Sequence, residues 1–101
     1  MYLVVFRNRK RPDIDRAGYD AQADAMEELA ARQPGFLSFK SYVAEDGEVI
    51  ALSEWEDEGA ARAWGKVAEH RIAKNDGRER WYAEYTMFAC DNPRTHRFRA
   101  S

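Results

Sequence analysis

Two hydrophobic periods alternate along this chain in a set order, and that order limits the folds open to it. Tyr2-Leu3-Val4-Val5-Phe6 is a β-branched and aromatic run that reads as a strand. A polar stretch from Arg7 to Arg11 follows, and Pro12 stops any ladder. From Asp13 the period turns helical, with Ile14, Tyr19, Ala23, Met26, Leu29 and Ala30 on one face and Asp13 or Asp15 as the cap. Gln33-Pro34-Gly35 closes this helix. Phe36 to Ala44 and Val49 to Trp55 read as strands joined by Glu45-Asp46-Gly47-Glu48, whose Asp-Gly pair signals a hairpin. Asp57 caps a second helix that runs to about Ala73, with Ala60, Ala61, Trp64, Val67, Ala68 and Ile72 on its face. Asn75-Asp76-Gly77 ends it, and Trp81 to Cys90 forms the last strand. The order βαββαβ is the ferredoxin-like α+β arrangement, with a four-stranded antiparallel sheet.

Two helices cover only one face of such a sheet. In the last strand, simple alternation puts Trp81, Tyr85 and Met87 on one face and Tyr82, Phe88 and Cys90 on the other. In the first, Tyr2, Val4 and Phe6 oppose Leu3 and Val5. A sheet apolar on both faces needs a second cover, and the simplest is another copy of the chain. The expectation is a homodimer with sheet packed on sheet.

At 101 residues there is room for one domain. Residues 1–92 form the ferredoxin-fold unit, and residues 93–101 a polar tail whose Arg94, His96, Arg97 and Arg99 read as a solvated end. Sixteen Lys and Arg against 18 Asp and Glu leave a net charge of −2, which argues against nucleic acid as the main partner. No apolar run approaches the ~20 residues of a membrane span, and no signal-peptide core is visible. Cys90 is the lone cysteine, so no internal disulfide forms. These features predict a soluble, cytoplasmic protein that does not engage membranes.

The standard catalytic patterns are absent: there is no GxGxxG, Walker A, HExxH or nucleophile elbow. His70, His96 and Cys90 are too scattered to predict a metal site. What remains is a polar minority among aromatics, which make up 13% of the chain. Asn8, in phase with Tyr2, Val4 and Phe6, either donates a hydrogen bond to a ligand oxygen or turns the chain before Pro12. Trp64 is either a core ring of its helix or the wall of a pocket. His70 lies six positions on, so the two side chains project about 120° apart; it either moves protons or sits on the surface. Arg78, just before Trp81 and Tyr82, either stacks on a ring or reaches a carboxylate.

Taken in order, several of these features resemble the antibiotic biosynthesis monooxygenase domain family, small dimeric α+β barrels built from two ferredoxin-like protomers. The resemblance covers about residues 2 to 92. It rests on Gln33-Pro34-Gly35-Phe36, Ser53-Glu54-Trp55, Ala63-Trp64 nine positions beyond Trp55, Glu69-His70, and Gly77-Arg78 followed by Trp81-Tyr82 and Tyr85. It implies one of three functions. The first is a cofactor-free oxygenase that oxidises a small electron-rich aromatic, a quinol or anthrone, with O2. The second is a haem-binding or haem-degrading monooxygenase, and the third a non-catalytic small-molecule-binding or stress-associated module. Asn8-Arg9 looks like the Asn-Arg pair of both active branches, and Trp64 matches their pocket Trp. In the first reading Asn8 donates to substrate oxygen, His70 accepts a proton, and Trp64 with Phe6, Arg78, Trp81, Tyr82 and Tyr85 surrounds the substrate; no cofactor is needed. The haem branch places an iron-ligating His about three turns past the Trp, whereas His70 follows after six residues.

Overall fold

The computed structural model describes residues 1–74 and 80–101, with the backbone alone for 72–74. The elements are β1 (Tyr2–Lys10), α1 (Arg16–Ala31), β2 (Phe36–Val43), β3 (Val49–Trp55), α2 (Glu58–Lys74) and β4 (Tyr82–Asp91). The strands form a single antiparallel sheet in the order β2-β3-β1-β4, the ferredoxin-like arrangement expected from the alternating periods.

Local chemistry sets each boundary. Asp15 caps α1, its Oδ1 accepting from the Gly18 amide at 3.1 Å, and Asp57 does the same for the Ala60 amide at 2.8 Å. The Asp-Gly hairpin forms as expected, with Gly47 at φ 90°. β1 runs four residues past the apolar stretch, to Lys10 rather than Phe6. Arg7 pairs with Glu48 at 3.0 Å, and Arg9 with Asp46 at 2.8 Å and Glu84 at 3.6 Å. These pairs, two to the β2–β3 hairpin and one across to β4, let charged residues continue a ladder that hydrophobicity alone would end. The Arg9 hydrogen bond also holds the Asp46 carboxyl below its usual pKa.

Tyr2, Val4, Phe36, Ala60 and Trp64 pack around buried Ala30, Trp55 and Ala61, which identifies the face of the sheet turned toward the helices. Pairing carries that face along β1 as Tyr2, Val4, Phe6 and Asn8, and along β4 as Ala89, Met87 and Tyr85. The opposite face carries Leu3, Val5, Ile50, Leu52 and Phe88, and among the described residues no helix packs over it. Cys90, the lone cysteine, is exposed there. Among the described residues no helix is long and apolar enough to cross a membrane.

Gly35 joins α1 to β2 at φ 83°, and a Cβ there would stand 2.6 Å from that of Ala60. Gly35→Ala adds left-handed strain to overpacking and is expected to cost about 2–5 kcal/mol. Urea unfolding checks this: the midpoint should fall with the slope unchanged.

Candidate functional site

Among the described residues, one polar side chain is buried, and it lies in the sheet. Asn8 is 3% exposed and lies on the helix-side face between Val49 of β3 and Tyr85 of β4. Its Oδ1 accepts a hydrogen bond from the Lys10 ammonium. Aromatic rings surround the pair. Phe6 meets Tyr82 and Tyr85 edge-on at 5.5 and 5.3 Å, and the two tyrosines meet each other at 5.8 Å. Lys10 Nζ stands over the rings of Tyr19 and Tyr82, 4.7 and 5.5 Å from their centroids.

This cluster depends on an irregularity. Between Arg9 and Lys10 the register with β4 slips, so Arg9 pairs with Glu84 but Lys10 with Tyr82. The extra β4 residue, Ala83, is the mark of a β-bulge. It turns Tyr82 onto the face of Phe6 and Tyr85, where strict alternation had put it on the opposite face with Phe88 and Cys90. Burial, reinforced by the neighbouring Tyr19 hydroxyl, raises the Tyr82 pKa well above the usual phenol value. Tyr82 is therefore a neutral wall rather than a base. Because the folded pKa is raised, the stability it contributes is complete below the ordinary value of about 10 and is lost as pH rises beyond it. The melting temperature should fall as pH rises above about 10, and should fall less in Tyr82→Phe.

The remaining expected site residues fall in different places. Trp81 is buried beside the cluster, donating from Nε1 to Gln22 Oε1 at 2.8 Å and meeting the Tyr19 ring at 5.9 Å. It also lines a groove of about 610 Å³ with Gly18, Gln22, Met26, Leu29, Arg71 and Arg80. Trp64 stacks on Trp55 at 6.1 Å. It thus joins the core at the Tyr2 end of β1, whereas Asn8 lies six residues further along, about 20 Å. His70 is exposed on α2, and no hydrogen bond among the described residues ties it to Asn8. Arg78 lies outside the described residues. Two participants escaped the sequence reading, Lys10 and Tyr19. Lys10 lies two residues beyond Asn8, on the same strand face, and that spacing is the signal that could have found it.

Helices leave part of this face open. Tyr85 and Met87 are 42% and 60% exposed on the helix side of β4, so an apolar strip adjoins the buried amide. Such an arrangement can hold a planar apolar ligand and offer one hydrogen bond to its oxygen. A haem ligated from α2 does not fit these residues. His70 is exposed, Ala73 and Lys74 occupy the positions about three turns past Trp64, and among the described residues no three metal-binding side chains converge.

The sequence pattern of the family described as Antibiotic biosynthesis monooxygenase matches residues 1–76. The uncharacterized protein YqjZ of Bacillus subtilis (strain 168) is 38% identical over 86 residues, covering 85% of this chain and 74% of YqjZ. A variant of SnoaB, a cofactor-independent oxygenase from Streptomyces nogalater, superimposes with a TM-score of 0.73 at 18% identity, over 93% of this chain and 94% of that one. Rv0793 from Mycobacterium tuberculosis gives 0.74 at 19% identity, over 93% and 96% of the two chains. At these identities both structures share the fold with this chain.

Proposed function

This chain belongs to the antibiotic biosynthesis monooxygenase family, and from that premise we propose that it oxidises a small electron-rich aromatic, an anthrone or quinol, with O2 and without a cofactor. The observation that carries this reading is Asn8, 3% exposed, with its oxygen held by Lys10 beside the open strip of Phe6, Tyr85 and Met87. The SnoaB oxygenase, which shares the fold, supports the absence of a cofactor.

For an anthrone the chemistry balances simply. The ring CH2 loses a proton to solvent, giving an enolate that passes one electron to O2. The resulting radical pair joins as a peroxide, takes up a proton and loses water, leaving a ketone. One oxygen atom enters the product and the other leaves as water. The protein binds the rings along the strip and stabilises the enolate oxygen through the Asn8 amide. Turnover with isotopically labelled O2 tests this: one labelled atom should appear in the ketone, and a product labelled only from solvent would refute it.

His70 has no part in the site as we propose it. His70→Ala is expected to keep kcat within about twofold of the wild type, well short of the ~100-fold that loss of a general base produces.

We also read the working unit as a homodimer. Leu3, Val5, Ile50 and Leu52 are only half-buried on the face away from the helices, and Phe88 beside them is 48% exposed. A second copy of the same face would cover this patch. Light scattering should give twice the chain mass, and Phe88→Glu should return it to the single-chain value; a monomeric wild type would contradict this.

A further inference from the structure

Lysine carries only donors, so its ammonium can meet the Asn8 amide at one atom, the oxygen. That leaves the orientation of the amide settled by chemistry: Oδ1 faces Lys10, and Nδ2 is the group left for a ligand. The charge itself is poorly compensated. Among the described residues no carboxylate pairs with Lys10, and its neighbours are the amide oxygen and the faces of Tyr19 and Tyr82. Arg7 and Arg9, on the same strand, are both paired with carboxylates. Lys10 is thus the cation of β1 left facing rings, beside the buried Asn8 amide.

We infer that Lys10 is a positioning residue that turns Asn8 into a dedicated hydrogen-bond donor and biases the site toward the anionic form of a phenolic ligand. This rests on the proposed role of Asn8. The ammonium fixes the amide and polarises it, making Nδ2 a stronger donor. Its positive charge, half-buried among rings rather than in bulk water, favours a phenolate over a phenol. Tyr19 and Tyr82 present their ring faces to the ammonium, and burial keeps the Tyr82 hydroxyl neutral. The site then needs no dedicated side-chain base for a phenolic substrate, because it stabilises the deprotonated form directly.

The test uses 4-nitrophenol, whose phenolate is yellow and whose phenol is nearly colourless, titrated against the purified full chain across a range of pH. The wild type should bind it saturably and lower its apparent pKa by at least one unit, about tenfold more phenolate at a fixed acidic pH. Lys10→Met should still bind, with that pKa back near its solution value, and Lys10→Arg should restore the shift. Lys10→Gln replaces the methionine variant if the latter melts more than a few degrees lower. A wild-type shift that persists in both neutral variants would overturn the role of Lys10 and leave the Asn8 site standing. Saturable binding that is equally tight in Asn8→Ala, or no saturable binding by the wild type, would overturn the Asn8 reading and this inference with it.

Discussion

Asn8→Ala is expected to lower kcat for an anthrone or quinol by about 10²–10³-fold, the usual loss when one preorganised donor to a developing oxyanion is removed. The size follows from placement. The amide is buried, its oxygen is already occupied by Lys10, and Nδ2 therefore needs no reorganisation when the enolate forms. Asn8→Asp should fare no better. Its carboxylate pairs with Lys10, cancels the positive charge and turns a second oxygen toward an anionic substrate. Both variants keep the side chain's approximate volume or less, so circular dichroism should show the fold intact. Steady-state oxygen uptake decides the matter, and a kcat within threefold of wild type in Asn8→Ala would remove Asn8 from the reaction.

Trp55→Ala should have the largest effect on stability, a loss of about 3–5 kcal/mol. Trp55 is fully buried, and the core it anchors is otherwise small: Ala30 and Ala61 are the other buried members. Phe36 packs edge-on against its ring at 5.5 Å, Trp64 stacks on it at 6.1 Å, and its Nε1 donates to Ser53 Oγ at 3.0 Å. Removing the ring opens a cavity that two alanines cannot fill. A domain of this size has only about 5–15 kcal/mol of stability in all, so a sizeable unfolded population should appear under mild conditions. Trp55→Phe should cost appreciably less, since it keeps most of the ring contact. Chemical denaturation followed by circular dichroism measures both, and a loss below about 1 kcal/mol in the alanine variant would contradict this account of the core.

The two proposals differ in how far the sequence alone could have led to them. Trp55 was legible because it ends a strand whose hairpin is marked by Asp46-Gly47, and because helical periodicity placed Trp64 and Ala61 on the facing side of α2. The caps at Asp15 and Asp57 were legible for the same local reason. The site was legible only in part. Asn8 stood out as the polar member of an apolar phase, but a reader who ends the strand at Phe6 leaves it in a turn. Partners for Arg7 and Arg9 in the β2–β3 hairpin carry β1 further, and those partners lie about 40 residues away. Tyr82 was assigned to the wrong face because a bulge at Ala83 is a property of two paired strands, not of either one. The interplay of Lys10 with Tyr19 joins a strand to a helix, which periodicity within one element does not reveal. His70 and Trp64 show the converse: residues singled out by chemical type are placed by packing, one on the surface and one against Trp55.

As proposed, this chain oxidises an aromatic with O2 using only its own side chains. Oxygen uptake tests it most directly, with chelator-treated protein, no added flavin or haemin, and a panel of quinols and anthrones. Uptake should be proportional to protein concentration, with one O2 consumed per anthrone oxidised. Uptake no faster than buffer across the panel, or uptake that begins only when haemin is added, would contradict it.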